Sequence, residues 1–182
     1  MQNAIGLIEL TSIAKGYEVA DALLKTAQVQ MVFNRTICPG KFMVMVAGET
    51  AAVSSSMEAG MEIGGETVVD SLLIPNVHPE VFPAISGTRV VTETGALGII
   101  ETFSVASIIE AADAAVKAAN VQLLQIHLAM AIGGKGYVTM TGEVSAVTAA
   151  VQAGAEFIRT KGLLVNKVVI PQPRPEVLED RI

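Results

Sequence analysis

"AIGLIELTSIAKGYEVADALLKTAQV" (residues 4–29) aligns without gaps with "ALGIIETFSVASIIEAADAAVKAANV" (residues 96–121), 92 positions further along the chain. The alignment resumes at a shift of 94, where the matching residues are Gly40, Lys41, Gly48 and Glu49 with Gly134, Lys135, Gly142 and Glu143. It ends at a shift of 96, where IPNVHPEV (74–81) matches IPQPRPEV (170–177). This self-similarity predicts two tandem copies of one domain, residues 1–91 and 92–182, joined near ISGTRVVTETG (85–95).

The same elements are expected in each copy. In copy 1, AIGLIEL is typical of a short apolar strand, and an amphipathic helix follows it, with a stripe formed by Ala20, Leu23, Leu24 and Ala27. The β-rich runs VQMVFNRTI and KFMVMVAG flank a Cys-Pro-Gly turn and predict a hairpin. A second helix is expected after Gly48, and TVVDSLLIP closes the copy as a strand.

The order β-α-β-β-α-β predicts an α+β chain of two tandem ferredoxin-like domains. Each domain would have an antiparallel sheet with its helices on one face. The other face then needs cover, which we expect from the neighbouring copy or from another subunit. The composition favours the same conclusion, because the chain is 51% hydrophobic and only 16% charged, with a mean hydropathy of +0.53.

Charge and hydropathy patterning argue against several classes of protein. A net charge of −6 and an isoelectric point near 4.9 disfavour a nucleic-acid partner. No run of about 18 apolar residues escapes a glycine, a charge or a turn signal, so no membrane span is expected. MQNAIGLIEL lacks the basic start of a signal peptide, and a single cysteine fits a reducing cytoplasm.

The motifs AIGLIE, AADA and ANV, in two tandem copies, resemble those of bacterial microcompartment shell domains. The resemblance covers nearly the whole chain and is to the tandem-domain class, in which three chains form a pseudo-hexagonal tile. ELTSIAKG (9–16) followed by TICPGKF (36–42) is most similar to shell proteins of propanediol utilisation. Those proteins are associated with one iron–sulfur cluster on the three-fold axis of the trimer.

The resemblance implies roles for particular residues and partners. Lys25 and Lys117 match the lysine at the tile edge, whereas the arginine of the family's end motif is replaced by Asn76 and Gln172. The hairpin turns match the loops that line the central pore, here Ile37, Pro39, Gly40, Lys41, Ile132, Gly133, Gly134 and Lys135. The implied partners are two further copies of the chain, other shell proteins, and a redox enzyme or flavoprotein. The implied location is the shell of a cytoplasmic microcompartment.

Cys38 is the only cysteine of the chain, and an isolated cysteine is most often a small buried hydrophobe. Pro39 favours an extended Cys38, and Pro-Gly suits the corner of a type II turn, so we expect the thiol at a hairpin tip. At the shift of 94, Cys38 corresponds to Ile132, so each chain has one sulfur-bearing tip.

Three such chains around an axis would present three thiols. A [4Fe–4S] cluster normally takes four cysteines, and a zinc ion with three sulfurs and one solvent ligand is the chemical alternative. Gly40 offers a backbone N–H near the thiol. Lys41 offers either a nearby positive charge or simply a solvated side chain at the start of a strand.

Two other functions stay open from the sequence: a passive metabolite pore without metal, and a trimeric ferredoxin-like regulator that binds a small ligand. An enzyme is not expected, because a catalytic thiol needs an adjacent base and neither His78 nor His127 lies near Cys38 in the sequence. No chemistry is assigned to His127. Structural or interface roles are expected for the repeated carboxylates, Glu9 with Glu101 and Asp21 with Asp113.

Overall fold

A computed structural model describes residues 4–88 and 95–177. Copy 1 contains β1 (Ala4–Leu10), α1 (Ile13–Thr26), β2 (Gln30–Ile37), β3 (Lys41–Gly48), α2 (Thr50–Gly64), β4 (Val68–Ile74) and α3 (Val81–Ser86). Copy 2 contains β5 (Ala96–Thr102), α4 (Val105–Ala118), β6 (Gln122–Leu128), β7 (Gly136–Gly142), α5 (Val144–Arg159) and β8 (Leu164–Ile170). Short 3₁₀ turns lie at Gly65–Thr67 and Pro175–Val177.

Each copy forms its own four-stranded sheet, in the orders β2-β3-β1-β4 and β6-β7-β5-β8, and all neighbouring strands are antiparallel. The predicted α+β architecture of two tandem ferredoxin-like domains is therefore confirmed. The predicted boundary between residues 91 and 92 lies outside the described residues and stays a prediction. No helix among the described residues combines the length and apolar character that a membrane span requires.

The hairpin of copy 1 forms as predicted, but its turn has different corner residues. The Gly40 N–H donates to the Ile37 carbonyl oxygen at 3.1 Å, so Cys38 and Pro39 occupy the corner, joined by a cis peptide bond. The expected type II turn with Pro39 and Gly40 at its corner is wrong, because the hydrogen bond closes one residue earlier. Cys38 still lies at the tip of the hairpin.

The corresponding turn of copy 2 is longer. It runs from residue 129 to residue 135, and this is where the two extra residues of copy 2 lie. Ala129 and Ala131 adopt left-handed φ values of 59° and 62°, which are uncommon for residues other than glycine. We call residues 38–40 loop 1 and residues 129–135 loop 2.

Helix α1 buries one face against its own sheet, through Gly16, Val19, Ala20 and Leu23. Leu24, which the predicted stripe included, is 48% exposed. The difference arises because α1 has a second apolar face, with Ile13 and Tyr17, that stays largely exposed among the described residues.

The second face of the copy 1 sheet is covered by copy 2, as expected. Leu7, Met45 and Leu72 from that sheet share one buried core with Val105 and Ile109 of α4. In return, α3 of copy 1 packs against β6 of copy 2, and Val81 at its start is fully buried. The two copies thus form one packed body. At their junction, α4 of copy 2 packs on the sheet of copy 1, so the two copies contribute different surfaces and the contact is heterologous.

Candidate functional site

The two hairpin loops lie against each other. A Cβ atom at Gly134 of loop 2 would lie 2.7 Å from Cδ of Pro39 and 2.8 Å from the carbonyl oxygen of Cys38. Glycine is therefore required at this point of close approach, and its φ of +85° gives a second reason. The structure thus brings the predicted pore-lining residues of the two copies into a single patch.

Within this patch the residues differ in exposure. Ile37 and Gly134 are buried, whereas Pro39, Gly40 and Gly133 are exposed. Partial exposure is found for Cys38, Lys41, Ile132 and Lys135. The Cys38 thiol is free, and the described residues contain no group of three or more His, Cys, Asp or Glu side chains that could hold a metal. The described residues of one chain would therefore not hold a metal at Cys38 by themselves.

Lys41 forms an ion pair with Glu9, whose side chain is fully buried. The second carboxylate oxygen of Glu9 accepts the backbone N–H of Val105, the first residue of α4, at 2.9 Å. Burial raises the pKa of Glu9 above its usual value, and the hydrogen bond and charge of Lys41 offset part of that rise. Lys41 is thus neither simply solvated nor a free positive charge, and the Gly40 N–H is already used in the turn.

Copy 2 repeats this pair in a more exposed setting. Lys135 pairs with Glu101, and their side chains are 40% and 30% exposed, against 15% and 0% for Lys41 and Glu9. The repeated glutamates are thus the partners of the repeated loop lysines. They are not brought together as an acid–base pair.

The predicted edge lysines also form repeated pairs. Lys25 lies 2.6 Å from Asp21 on α1, and Lys117 lies 2.6 Å from Asp113 on α4. The Lys25 side chain is 74% exposed, whereas Lys117 also donates to the Asn76 carbonyl oxygen of copy 1 at 2.5 Å. Their role at a tile edge stays a prediction.

The two histidines have structural contacts. His127 bonds through Nε2 to the Met130 carbonyl oxygen at 2.7 Å and stacks on Tyr137 with ring centroids 5.1 Å apart. A carbonyl oxygen only accepts, so Nε2 is the donor and His127 braces loop 2. The His78 backbone N–H donates to Asp113 at 2.8 Å and so joins the two copies.

Sequence reasoning missed a polar cluster at the junction between the copies. Asp70 of β4 accepts hydrogen bonds from the hydroxyls of Ser104 and Ser107, the latter at 2.7 Å, and lies 3.7 Å from the Lys161 ammonium. Lys161 also pairs with Glu110, whose pKa is raised by burial despite that pair. One signal was present in the sequence, since Asp70 is the only charged residue in the apolar run TVVDSLLIP.

Residues 4–77 and 96–173 each match the sequence model of the BMC domain. The chain therefore belongs to the BMC domain family and carries the domain twice. The bacterial microcompartment shell protein PduT of Citrobacter freundii is 51% identical over 173 residues, which cover 95% of this chain and 94% of that protein. The predicted resemblance to tandem-domain microcompartment shell proteins is confirmed.

Two further comparisons agree. The crystal structure of a microcompartment protein from Desulfitobacterium hafniense DCB is 48% identical, with a TM-score of 0.87 over 98% of this chain and 99% of that one. Carboxysome shell protein CsoS1A of Hydrogenovibrio crunogenus is 47% identical over 86 residues, which are 46% of this chain and 90% of that protein. That relative is thus about one copy long.

The Glu9–Lys41 pair predicts a large and pH-dependent effect of Lys41→Met. Removing the ammonium leaves a buried carboxylate uncompensated, so we expect the free energy of unfolding to fall by about 3 kcal/mol near neutral pH. Lys135→Met is the matched control, because its pair is partly exposed and should contribute about 1 kcal/mol or less. Urea unfolding followed by circular dichroism measures both.

The dependence on pH has a definite direction. The folded-state pKa of Glu9 is raised, and it rises further without Lys41, so the variant loses stability as the pH climbs from the unfolded carboxylate pKa through the raised one. The stability gap between Lys41→Met and the parent should be smallest at acidic pH, where Glu9 is protonated in both proteins, and should widen steadily as the pH rises. A gap that is independent of pH would contradict the assigned role of Glu9.

Proposed function

We propose that this chain is a structural shell protein that forms pseudo-hexagonal homotrimers with a [4Fe–4S] cluster on the three-fold axis. The cluster would transfer electrons across the shell. The observation that carries the proposal is a free thiol at the tip of loop 1, packed beside loop 2, in a chain whose second copy has no cysteine. Other shell proteins would border the tile, and a redox enzyme or flavoprotein would exchange electrons with it.

The trimer is supported by a comparison of equivalent faces on α1 and α4. Along α4, the face that meets copy 1 is buried, with Val105, Ala106, Ile109, Asp113 and Val116. At the same positions of α1, 92 residues earlier, the side chains are exposed: Ile13, Ala14, Tyr17, Asp21 and Leu24. The faces that meet the helices' own sheets are buried in both copies. Helix α1 therefore exposes the face that α4 buries against a sheet. In the proposed trimer, a sheet of the neighbouring chain would cover this face.

The sheet of copy 2 has the matching free surface. Leu72 of β4 is 2% exposed beneath α4, whereas its counterpart Val168 of β8 is 41% exposed. At the chain end, Val177 is 60% exposed, whereas its counterpart Val81 is fully buried. Seating α1 of one chain on the copy 2 sheet of the next repeats the internal junction, and a repeated heterologous contact generates a closed ring when the rotation between neighbours divides a full turn. Three chains of two copies each give the proposed six-position tile.

The residues around Cys38 suit the proposed cluster in donor type. Thiolates are the usual ligands of iron–sulfur clusters, and Cys38 is free and partly exposed at a hairpin tip. The ion pair of Lys41 with Glu9, three residues after Cys38 in the same hairpin, is internally neutralised, so it neither repels an anionic cluster nor competes for iron. Cys38 from each of three chains would supply three thiolates, and the fourth position would take a non-cysteine ligand. When bound, such a cluster supplies a one-electron couple.

Iron content provides the test of the cluster. After anaerobic reconstitution, the parent chain should bind about four iron and four sulfide per trimer, and Cys38→Ser should bind none. Ile132→Ser is the matched control, because it introduces the same serine on the other loop and should leave iron binding intact. Iron-free parent trimers would contradict the cluster and leave a passive metabolite pore. Equal iron in Cys38→Ser would show that the thiol is not the ligand.

The exposed face of α1 provides the test of the trimer. Tyr17→Glu places a carboxylate where the counterpart Ile109 is fully buried, so the variant should lose the trimer, whose mass is three times 18.9 kDa, and elute as a monomer. Val144→Glu is the control, because Val144 is 43% exposed and its counterpart Thr50 stays exposed at the internal junction. Light scattering after size exclusion measures the masses. A trimeric Tyr17→Glu chain, or discrete trimers that bind a small effector and never form sheets, would contradict the tile.

A further inference from the structure

A cavity of about 270 Å³ lies between the two copies, beside the hairpin loops. Its polar lining comes from Arg35 of β2, Ser86 at the end of α3, and Gln125 and His127 of β6, and Met130 of loop 2 closes one side. Both copies contribute, so the cavity exists only because of the way they pack. It lies entirely within one chain.

The charge of this cavity differs from that of its neighbours. A larger cavity at the start of α5 is lined by Glu80 and Glu143, and one between α2 and β4 is lined by Glu58 and Glu110. The cavity beside Arg35 has no carboxylate among the described residues that line it. In a chain of net charge −6, the cavity is thus lined by an arginine with no acidic side chain among the described lining residues.

Arg35 is the charged group of the cavity. Arg35 is an exposed residue whose guanidinium carbon lies 4.8 Å from the centroid of the Phe33 ring, a cation–π contact that favours this position of the side chain. No carboxylate among the described residues forms an ion pair with it, whereas Lys41, Lys135 and Arg159 each have such a partner. A guanidinium presents a planar set of N–H donors that matches a carboxylate or a phosphate.

The neighbouring polar groups are oriented to donate or are already satisfied. The Tyr137 hydroxyl donates to Gln125 Oε1 at 3.3 Å, which leaves the amide NH₂ of Gln125 as a donor. The Ser86 hydroxyl donates to the Phe82 carbonyl oxygen at 2.9 Å, and His127 donates through Nε2 to that of Met130 at 2.7 Å. Arg35 and Gln125 are therefore the side chains of this lining with N–H groups available to a ligand.

We propose that this cavity binds a small oxyanion, a carboxylate or phosphate group, through the guanidinium of Arg35 and the amide of Gln125. The site would hold such an anion beside the loops of the proposed pore. Because it is complete in a single chain, it depends neither on the trimer nor on the cluster. Its failure would leave the proposed function untouched.

Titration calorimetry at low ionic strength tests the site, with inorganic phosphate and acetate added separately to the full chain. The parent should bind at least one of them, and Arg35→Gln should weaken that binding about tenfold or more. Arg159→Gln is the control, because Arg159 is an exposed arginine paired with Glu156 on α5 and should leave affinity unchanged. Tighter binding of phosphate or of acetate identifies the preferred group.

A second variant keeps the test decisive if Arg35→Gln does not fold. Gln125→Glu preserves the shape of the side chain and places a carboxylate in the cavity, so binding should be lost. The proposal is overturned if the parent binds neither anion, or if either folded variant binds with the parent's affinity.

Discussion

The contact between the N-terminus of α4 and the sheet of copy 1 is the interaction on which the other features depend. The Val105 N–H donates to the buried Glu9, while Ser104 and Ser107 donate to Asp70. A helix N-terminus carries partial positive charge, so two carboxylates at this point stabilise the junction. Because Glu9 also holds Lys41, the same junction positions the hairpin that carries Cys38.

The junction also explains the unusual composition of the chain. A single chain forms the junction once and leaves one copy of each participating surface unused, on α1 and on the sheet of copy 2. These surfaces carry large exposed side chains, Ile13, Tyr17 and Val168, in a protein that is 51% hydrophobic. Burial between chains in a closed ring accounts for such surfaces better than exposure to solvent does. In the proposed trimer, the assembly would be the complete structural unit, and the thiols would meet only within it.

Local pattern and the internal repeat were sufficient to predict the eight strands, the two main helices of each copy, their order and the position of Cys38 at a hairpin tip, but they missed α3. They could not show that Leu24 faces outward, because one apolar stripe and two adjacent apolar faces look alike along a helix. Nor could they identify the partner of Lys41, since Glu9 lies 32 residues away and meets it only across the sheet. The turn corner depended on a single backbone hydrogen bond, which residue preferences do not determine.

The central claim is that the junction within the chain is repeated between chains, and a designed disulfide measures this most directly. Lys15 and Asn166 occupy the positions of Ser107 and Asp70, whose side-chain oxygens lie 2.7 Å apart at the internal junction. In a Cys38→Ser background, oxidised Lys15→Cys/Asn166→Cys should run on a non-reducing gel as covalent dimers and trimers and no larger species. Monomers alone, or a ladder that extends beyond three chains, would contradict the account.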